Sequence, residues 1–295
     1  MRVRLVGTTL LAVTLVSALA ASPLQQQKTA LVTVVAEAGG PVASLTANDF
    51  VVREDRATRQ VVAAERSAEP IFVTLLVDTL APPMGAPSGA AGFSQTQDLR
   101  RALTSFVTAI KGGSPDAQIA VMEYAGAAIT VLDFTSSETE MDRYIQRVFP
   151  NRRADGVVIE ALVEAAKKLS DKPTPRRSIV SIDFNSRDSS AVHAMNQAAE
   201  NIRKSGATVW TISIRGTSAS SSNREEVLNV VTRASGGMRL TAVEATGLDS
   251  MLKSVANSLL SQYTVTFTRP ANAEVKSTQM ETSKGGKVLL TPWMR

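Results

Sequence analysis

The 295-residue chain contains no cysteine. No disulfide can staple it, so its stability must come from packing, and thiol catalysis, Cys-ligated zinc and lipidation on an N-terminal cysteine are excluded with it. Histidine occurs once, at His193. With no second His or Cys to join it, His193 reads as a surface or capping residue near a helix start rather than a zinc ligand or general base. Aromatic residues make up only 4% of the chain. Lys and Arg are scattered, clustering only in pairs such as Arg100-Arg101, Arg152-Arg153, Lys167-Lys168 and Arg176-Arg177. No basic stripe interleaved with aromatics exists to grip nucleic acid. Beyond the first twenty or so residues, no apolar run is long enough to cross a membrane.

What is present begins with a leader. Arg2 and Arg4 give a short basic start, an apolar run follows to Ala20, and Ser17-Ala18-Leu19-Ala20 supplies small residues where a signal peptidase reads. Residues 1–21 are therefore expected to be a cleaved secretory signal, with an uncleaved anchor as the alternative. The formal net charge of +5 drops by two when Arg2 and Arg4 leave. The remaining roughly 275 residues suit one large domain, or one domain and a small partner. A hydrophobic content of 44% is enough for a real core. Export places the protein in a periplasm, in a cell envelope or outside the cell, with no membrane association after cleavage.

Up to residue 69 the pattern is all β, with strands expected at 30–36, 49–52 and 60–64 and a Gly39-Gly40-Pro41 turn. From Ile71 the pattern changes. Residues 71–77 form a nearly continuous apolar run, as in a parallel strand covered on both faces. Leu99, Leu103, Phe106 and Ile110 then fall at helical spacing. Strands at 118–124, 128–134, 178–183, 207–214 and 238–241 alternate with helices at 138–148, 157–169, 191–204, 224–234 and 248–260. Such alternation calls for a doubly wound, mostly parallel sheet with helices on both faces. After Gln262 the period returns to two, and strands near 263–267, 277–282 and 288–291 are expected to join the N-terminal ones in a small β unit. The expected division is a signal at 1–21, an N-terminal β segment at 22–69, an α/β domain at 70–261 and a C-terminal β segment at 262–295 that packs with the N-terminal one.

In an open parallel sheet the binding crevice lies beyond the carboxyl ends of the central strands. Two strands here end in aspartate at that edge, at Asp78 and Asp183. Paired carboxylates with no Lys between them suit a hard divalent ion, and helix or loop capping is the plainer alternative. The Ser-rich stretch 186–190 lacks the glycines of a nucleophile elbow, so capping is the better reading there too. The glycine-rich stretch 85–92 has no Lys-Ser/Thr ending and is no phosphate loop. Glu123 and Asp133 are isolated acids at strand ends.

The stretch Val42-Ala43-Ser44-Leu45-Thr46-Ala47-Asn48-Asp49-Phe50-Val51-Val52-Arg53-Glu54-Asp55 resembles the front segment of the bacterial von Willebrand factor A-related domain proteins of the acidobacterial type. Ala234-Ser235-Gly236-Gly237 and Leu259-Leu260-Ser261-Gln262-Tyr263 are similar to that family's closing pattern. The resemblance implies a von Willebrand factor A, Rossmann-like fold and a non-catalytic binding role. Where intact, the family's metal-ion-dependent adhesion site is an Asp-x-Ser-x-Ser loop, plus a Thr and an Asp from later loops. Asp78 matches the first Asp and Asp183 the last. Leu80 and Pro82 stand at the serine positions and Gly156 at the threonine position, none of which offers a hydroxyl. Thr79 and Asp155 are the candidate substitutes. The resemblance thus implies a protein-interaction module with a degenerate metal site and no cofactor, whose partner-binding loop includes Thr79, Met84 and Gly156. The alternative is an adhesion-type ligand binder holding Mg²⁺ or Mn²⁺ on Asp78, Asp183 and Asp155.

Overall fold

The computed structural model describes residues 25–36, 44–79, 90–149, 155–184, 187–215 and 222–294. An N-terminal group of strands comes first: β1 (Gln25–Val35), β2 (Phe50–Glu54), β3 (Ala57–Arg59) and β4 (Val61–Arg66). The α/β alternation then runs β5 (Phe72–Val77), α1 (Ala90–Gly113), β6 (Gln118–Glu123), β7 (Ile129–Thr135), α2 (Glu138–Arg147), α3 (Val158–Ser170), β8 (Arg177–Asp183), α4 (Met195–Ser205), β9 (Thr208–Ile214), α5 (Ser222–Ala234), β10 (Arg239–Ala242) and α6 (Leu248–Leu260). Three strands close the chain: β11 (Gln262–Pro270), β12 (Thr278–Thr282) and β13 (Lys287–Met294).

The central sheet has the order β10-β9-β8-β5-β6-β7. Its pairs are parallel except β6–β7, so the edge strand β7 runs against the rest. The apolar run in β5 explains its central place. Val73, Leu75 and Val77 enter one core with Leu103 and Phe106 of α1 and Leu252 and Leu259 of α6. Leu76 enters the opposite core with Leu162 and Leu169 of α3, Ile202 of α4 and Leu228 of α5. A strand buried on both faces has no polar face to show, which is why the sequence there reads as continuous rather than alternating. The order reverses direction around β5, so the carboxyl ends of β5, β6 and β8 open onto one crevice.

Both chain ends build a second layer. β1 lies between β11 and β13, antiparallel to each, and β4 pairs with the far side of β11. A three-stranded sheet, β12-β2-β3, sits beside it. Val32, Phe50, Val52, Tyr263, Val265 and Met280 share one apolar cluster, so neither end has to be stable alone. β1 starts five residues earlier than the apolar pattern suggests, because Gln25–Thr29 continue the ladder against residues 266–270. β3, three residues long, is too short to leave a period of its own.

The small β unit is joined to the large domain by Arg176, which is 4% exposed. Its guanidinium donates to the carbonyls of Ser67, Glu69 and Leu259 at 2.7–2.9 Å and to Gln262 Oε1 at 3.0 Å. It thereby ties the approach to β5, the end of α6 and the start of β11 to one side chain.

Candidate functional site

The chain places its two strand-end aspartates where the sequence pattern puts them. Asp78 follows β5, Asp183 ends β8, and both are 1% exposed. Their backbones are already joined, since the Asp78 amide donates to the Ile182 carbonyl at 3.0 Å. The Phe184 amide donates to Asp78 Oδ2 at 3.1 Å. The Ser213 hydroxyl on β9 donates to Asp183 Oδ2 at 3.3 Å.

The cation between the two strand ends is a side chain. Arg224, in the first turn of α5 and 3% exposed, sets Nε 3.1 Å from Asp183 Oδ1 and Nη2 3.4 Å from Asp78 Oδ2. A third carboxylate oxygen, Asp188 Oδ2, lies 3.9 Å from Nε. Nη2 also donates to the Tyr124 hydroxyl at 3.1 Å, and the guanidinium carbon stands 5.4 Å from that ring's centre. Tyr124, just past β6, donates its own hydroxyl hydrogen bond to the Ile182 carbonyl at 3.1 Å. Burial alone would lower the Arg224 pKa, but Tyr124, Asp183, Asp78 and Asp188 around it reverse that and raise it. Burial, and then the Asp78 charge, push the Tyr124 hydroxyl well above the usual tyrosine value. The cluster therefore holds a permanent guanidinium and a protonated phenol.

The other candidates are distributed around this centre. Asp155 pairs with Arg187 at 3.1 Å, and both side chains are open to solvent. Gly156 bridges Ala125 on one side and Asp188 on the other, which fixes the loop before α3 against the loop after β8. Thr79 is buried and turns its hydroxyl toward Glu123 without completing a hydrogen bond of normal geometry. Met84, Leu80 and Pro82 lie outside the described residues. Among the described residues no group of three or more His, Asp or Glu is arranged to hold a metal.

The isolated acids have partners. Glu123 accepts from the Tyr144 hydroxyl at 3.1 Å, and burial raises its pKa against the opposing pull of that hydrogen bond and of the nearby Thr79 hydroxyl. A cavity of about 330 Å³ opens beside this pair, lined by Leu132, Arg143 and Tyr144 among others. Asp133 pairs with Lys168 at 3.1 Å. The Ser-rich stretch caps a distant helix: Asp188 Oδ2 accepts from the Val158 amide at 3.1 Å and Ser190 Oγ from the Ile159 amide at 3.0 Å. The N-cap of α3, Val157, has no acceptor of its own. His193 is exposed, in a short 3₁₀ turn before α4.

Arg224, Tyr124 and Asp188 were not legible as site residues in the sequence. One signal was available. A cation in the first turn of a helix faces the positive end of the macrodipole, so Arg224 sits there against local preference.

A doubly wound sheet with aspartates closing two central strands defines the class. Residues 87–256 match the family model for the von Willebrand factor type A domain, and the chain belongs to that family. Among solved structures, a von Willebrand factor type A protein from Catenulispora acidiphila is similar, with a TM-score of 0.53 and 10% identity over 94% of this chain and 74% of that one. Proximal thread matrix protein 1 from the mussel byssus, with a zinc-occupied metal-ion-dependent adhesion motif, gives a TM-score of 0.51 and 14% identity over 70% of this chain and 49% of that one. The PilB minor pilin of Streptococcus sanguinis gives 0.50 and 9%, over 65% and 62%. At these identities the likeness shows the fold alone. No curated protein sequence matches the chain.

The family's metal can be tested against these residues, and they do not fit it. An ion bound to Asp78 and Asp183 would share both carboxylates with the Arg224 guanidinium. At an effective dielectric of about 20, two unit charges about 4 Å apart repel by about 4 kcal/mol, so a dication would meet about twice that. By the family resemblance, the positions whose hydroxyls would offset this fall on Leu80, Pro82 and Gly156.

Proposed function

We propose that the protein is an exported, non-catalytic protein-interaction module whose metal-ion-dependent adhesion site is degenerate. Domains of this family serve as adhesion and interaction modules. The observation that carries the reading here is the ionic cluster. The titratable groups at the carboxyl edge, Asp78, Asp183 and Tyr124, are buried and held by Arg224. These three groups are therefore closed off from solvent and from a substrate. What the edge presents to a partner is then its loops, with Met84 as the proposed contact residue; Thr79 and Gly156, expected to share that role, are buried beneath the rim. Asp155 belongs to the same rim, in its surface pair with Arg187.

Export rests on the leader at residues 1–21. Among the described residues no helix is long and apolar enough to cross a membrane. In this reading the two β segments at 22–69 and 262–295 form a base, and the α/β domain at 70–261 carries the binding edge away from it.

A photo-crosslinking amino acid at Met84 tests the binding edge in cells of the native host, with one at Lys253 on α6 as the control. A discrete protein adduct from Met84 that is absent from Lys253 is the expected result. No adduct, or the same adducts from both positions, would overturn the reading. N-terminal sequencing of the protein recovered outside the cytoplasm tests export, with a new start near residue 21 expected and an intact Met1 in a cytoplasmic fraction refuting it.

A further inference from the structure

We propose that Arg224 is the built-in counter-ion of this crevice, taking the charge-neutralising and loop-joining place that a divalent ion would take, so that the binding edge assembles at any metal concentration. Three observations converge on it. The guanidinium reaches carboxylates from two separate loops through different nitrogens, Asp183 through Nε and Asp78 through Nη2. That is the bridging a metal provides between the same strand ends. Each carboxylate is also supplied with a further donor: Phe184 N–H for Asp78, Ser213 O–H for Asp183, and Val158 and Ser190 N–H for Asp188. Lastly, Arg224 stands at the N-terminal turn of α5, where a cation gains nothing from the helix. Its reason for being there is the acids.

A consequence for recognition follows. A metal site offers an incoming carboxylate an open coordination position, whereas the Arg224 side chain is 1% exposed and its charge is already shared among three aspartates. An acidic ligand cannot reach Arg224, and no bound metal is needed to receive it, so binding at this edge must be insensitive to chelators. The assignment rests on the cluster alone and stands or falls separately from the crosslinking test.

The test is the thermal melting of the mature chain, with chelator, with Mg²⁺ and with Mn²⁺, for the wild type and for Arg224→Met. A ligand that binds only the folded state raises the melting temperature. The wild type should not respond to millimolar metal. Arg224→Met should melt lower by on the order of 10 °C. Mn²⁺ should recover part of that loss, because removing the guanidinium leaves the buried carboxylates without a counter-charge, which a divalent cation can supply. A wild type stabilised by Mn²⁺ overturns the proposal. So does an Arg224→Met variant as stable as the wild type, or a destabilised one that Mn²⁺ does not help. If Arg224→Met does not fold, Asp183→Asn with Arg224→Met decides. Recovery of folding supports a charge-neutralising role, and failure overturns it.

Discussion

Replacing Arg176 with Met isolates what holds the small β unit to the α/β domain. The substitution keeps the apolar stem and removes four charge-assisted hydrogen bonds, to Ser67, Glu69, Leu259 and Gln262. At the low end for bonds to a charged group, about 1.5 kcal/mol each, they are worth about 6 kcal/mol. Against this stands the cost of burying the charge. Burial pulls the Arg176 pKa from the ordinary arginine value down to about 10, which at 1.36 kcal/mol per unit is about 3 kcal/mol that the variant recovers. The net loss is about 3 kcal/mol, or a fall in Tm of about 10 °C for a chain of this size. Far-UV circular dichroism melts measure it, and limited proteolysis between β4 and β5 locates it. Arg176→Lys should recover only part, since an ammonium cannot fork across carbonyls that arrive from different segments. A Met variant melting within about 1 °C of the wild type would show that the joint is held by apolar packing, and the reasoning would be refuted.

Other perturbations probe other links. The β2–β3 turn places Asp55 at φ 46° and Arg56 at φ 78°, the positive pair that favours Asp-Gly, so Arg56→Gly should add roughly 0.5–1 kcal/mol; an unchanged or lower urea midpoint counts against it. Asp55 must stay, because its carboxylate accepts from the Lys276 and Ser277 amides. A Cβ on Gly237 would lie 1.8 Å from the Val209 carbonyl oxygen, so Gly237→Ala should cost about 3 kcal/mol as β9 and the loop before β10 are forced apart; a wild-type midpoint would disprove the close approach. Glu123 has a pKa raised by burial above 4.5. The stability it contributes is full below that ordinary value and is lost as pH rises through the raised one. Glu123→Gln should therefore be the more stable protein at neutral pH, with its advantage vanishing toward pH 4. An advantage that grows on acidification would reverse the assignment.

Most of the central sheet was legible because its causes are local. A strand covered on both faces must be apolar at every position, and the 71–77 run could hardly have been anything else. Helices such as α3 and α6 announced themselves through one apolar face that meets the sheet. The end strands were harder for a reason of range. Gln25, Gln26 and Gln27 carry no strand pattern, and they are extended because residues 268–270, far along the chain, pair with them. Pairing of that kind is set by the partner strand, and no local window contains it.

The site divides along the same line. Asp78 and Asp183 could be found from position alone, because the carboxyl ends of central strands converge by topology. The family resemblance implied that the hydroxyl positions fall on Leu80, Pro82 and Gly156. It gave no sign of what stands between the two aspartates. Two buried carboxylates at one strand edge must be neutralised by protonation, by a metal or by a side-chain cation. Here the third applies, with the cation supplied by a neighbouring element. The place to look was the start of the helix after β9, the neighbour of β8 in the sheet. A cation there opposes the helix dipole, so its presence calls for a compensating acid nearby. Arg224 meets both conditions, and Tyr124 and Asp188 complete its surroundings. Removing Arg224 should therefore leave buried carboxylates that only protonation or a divalent cation can neutralise, and so make the stability of the crevice respond to metal.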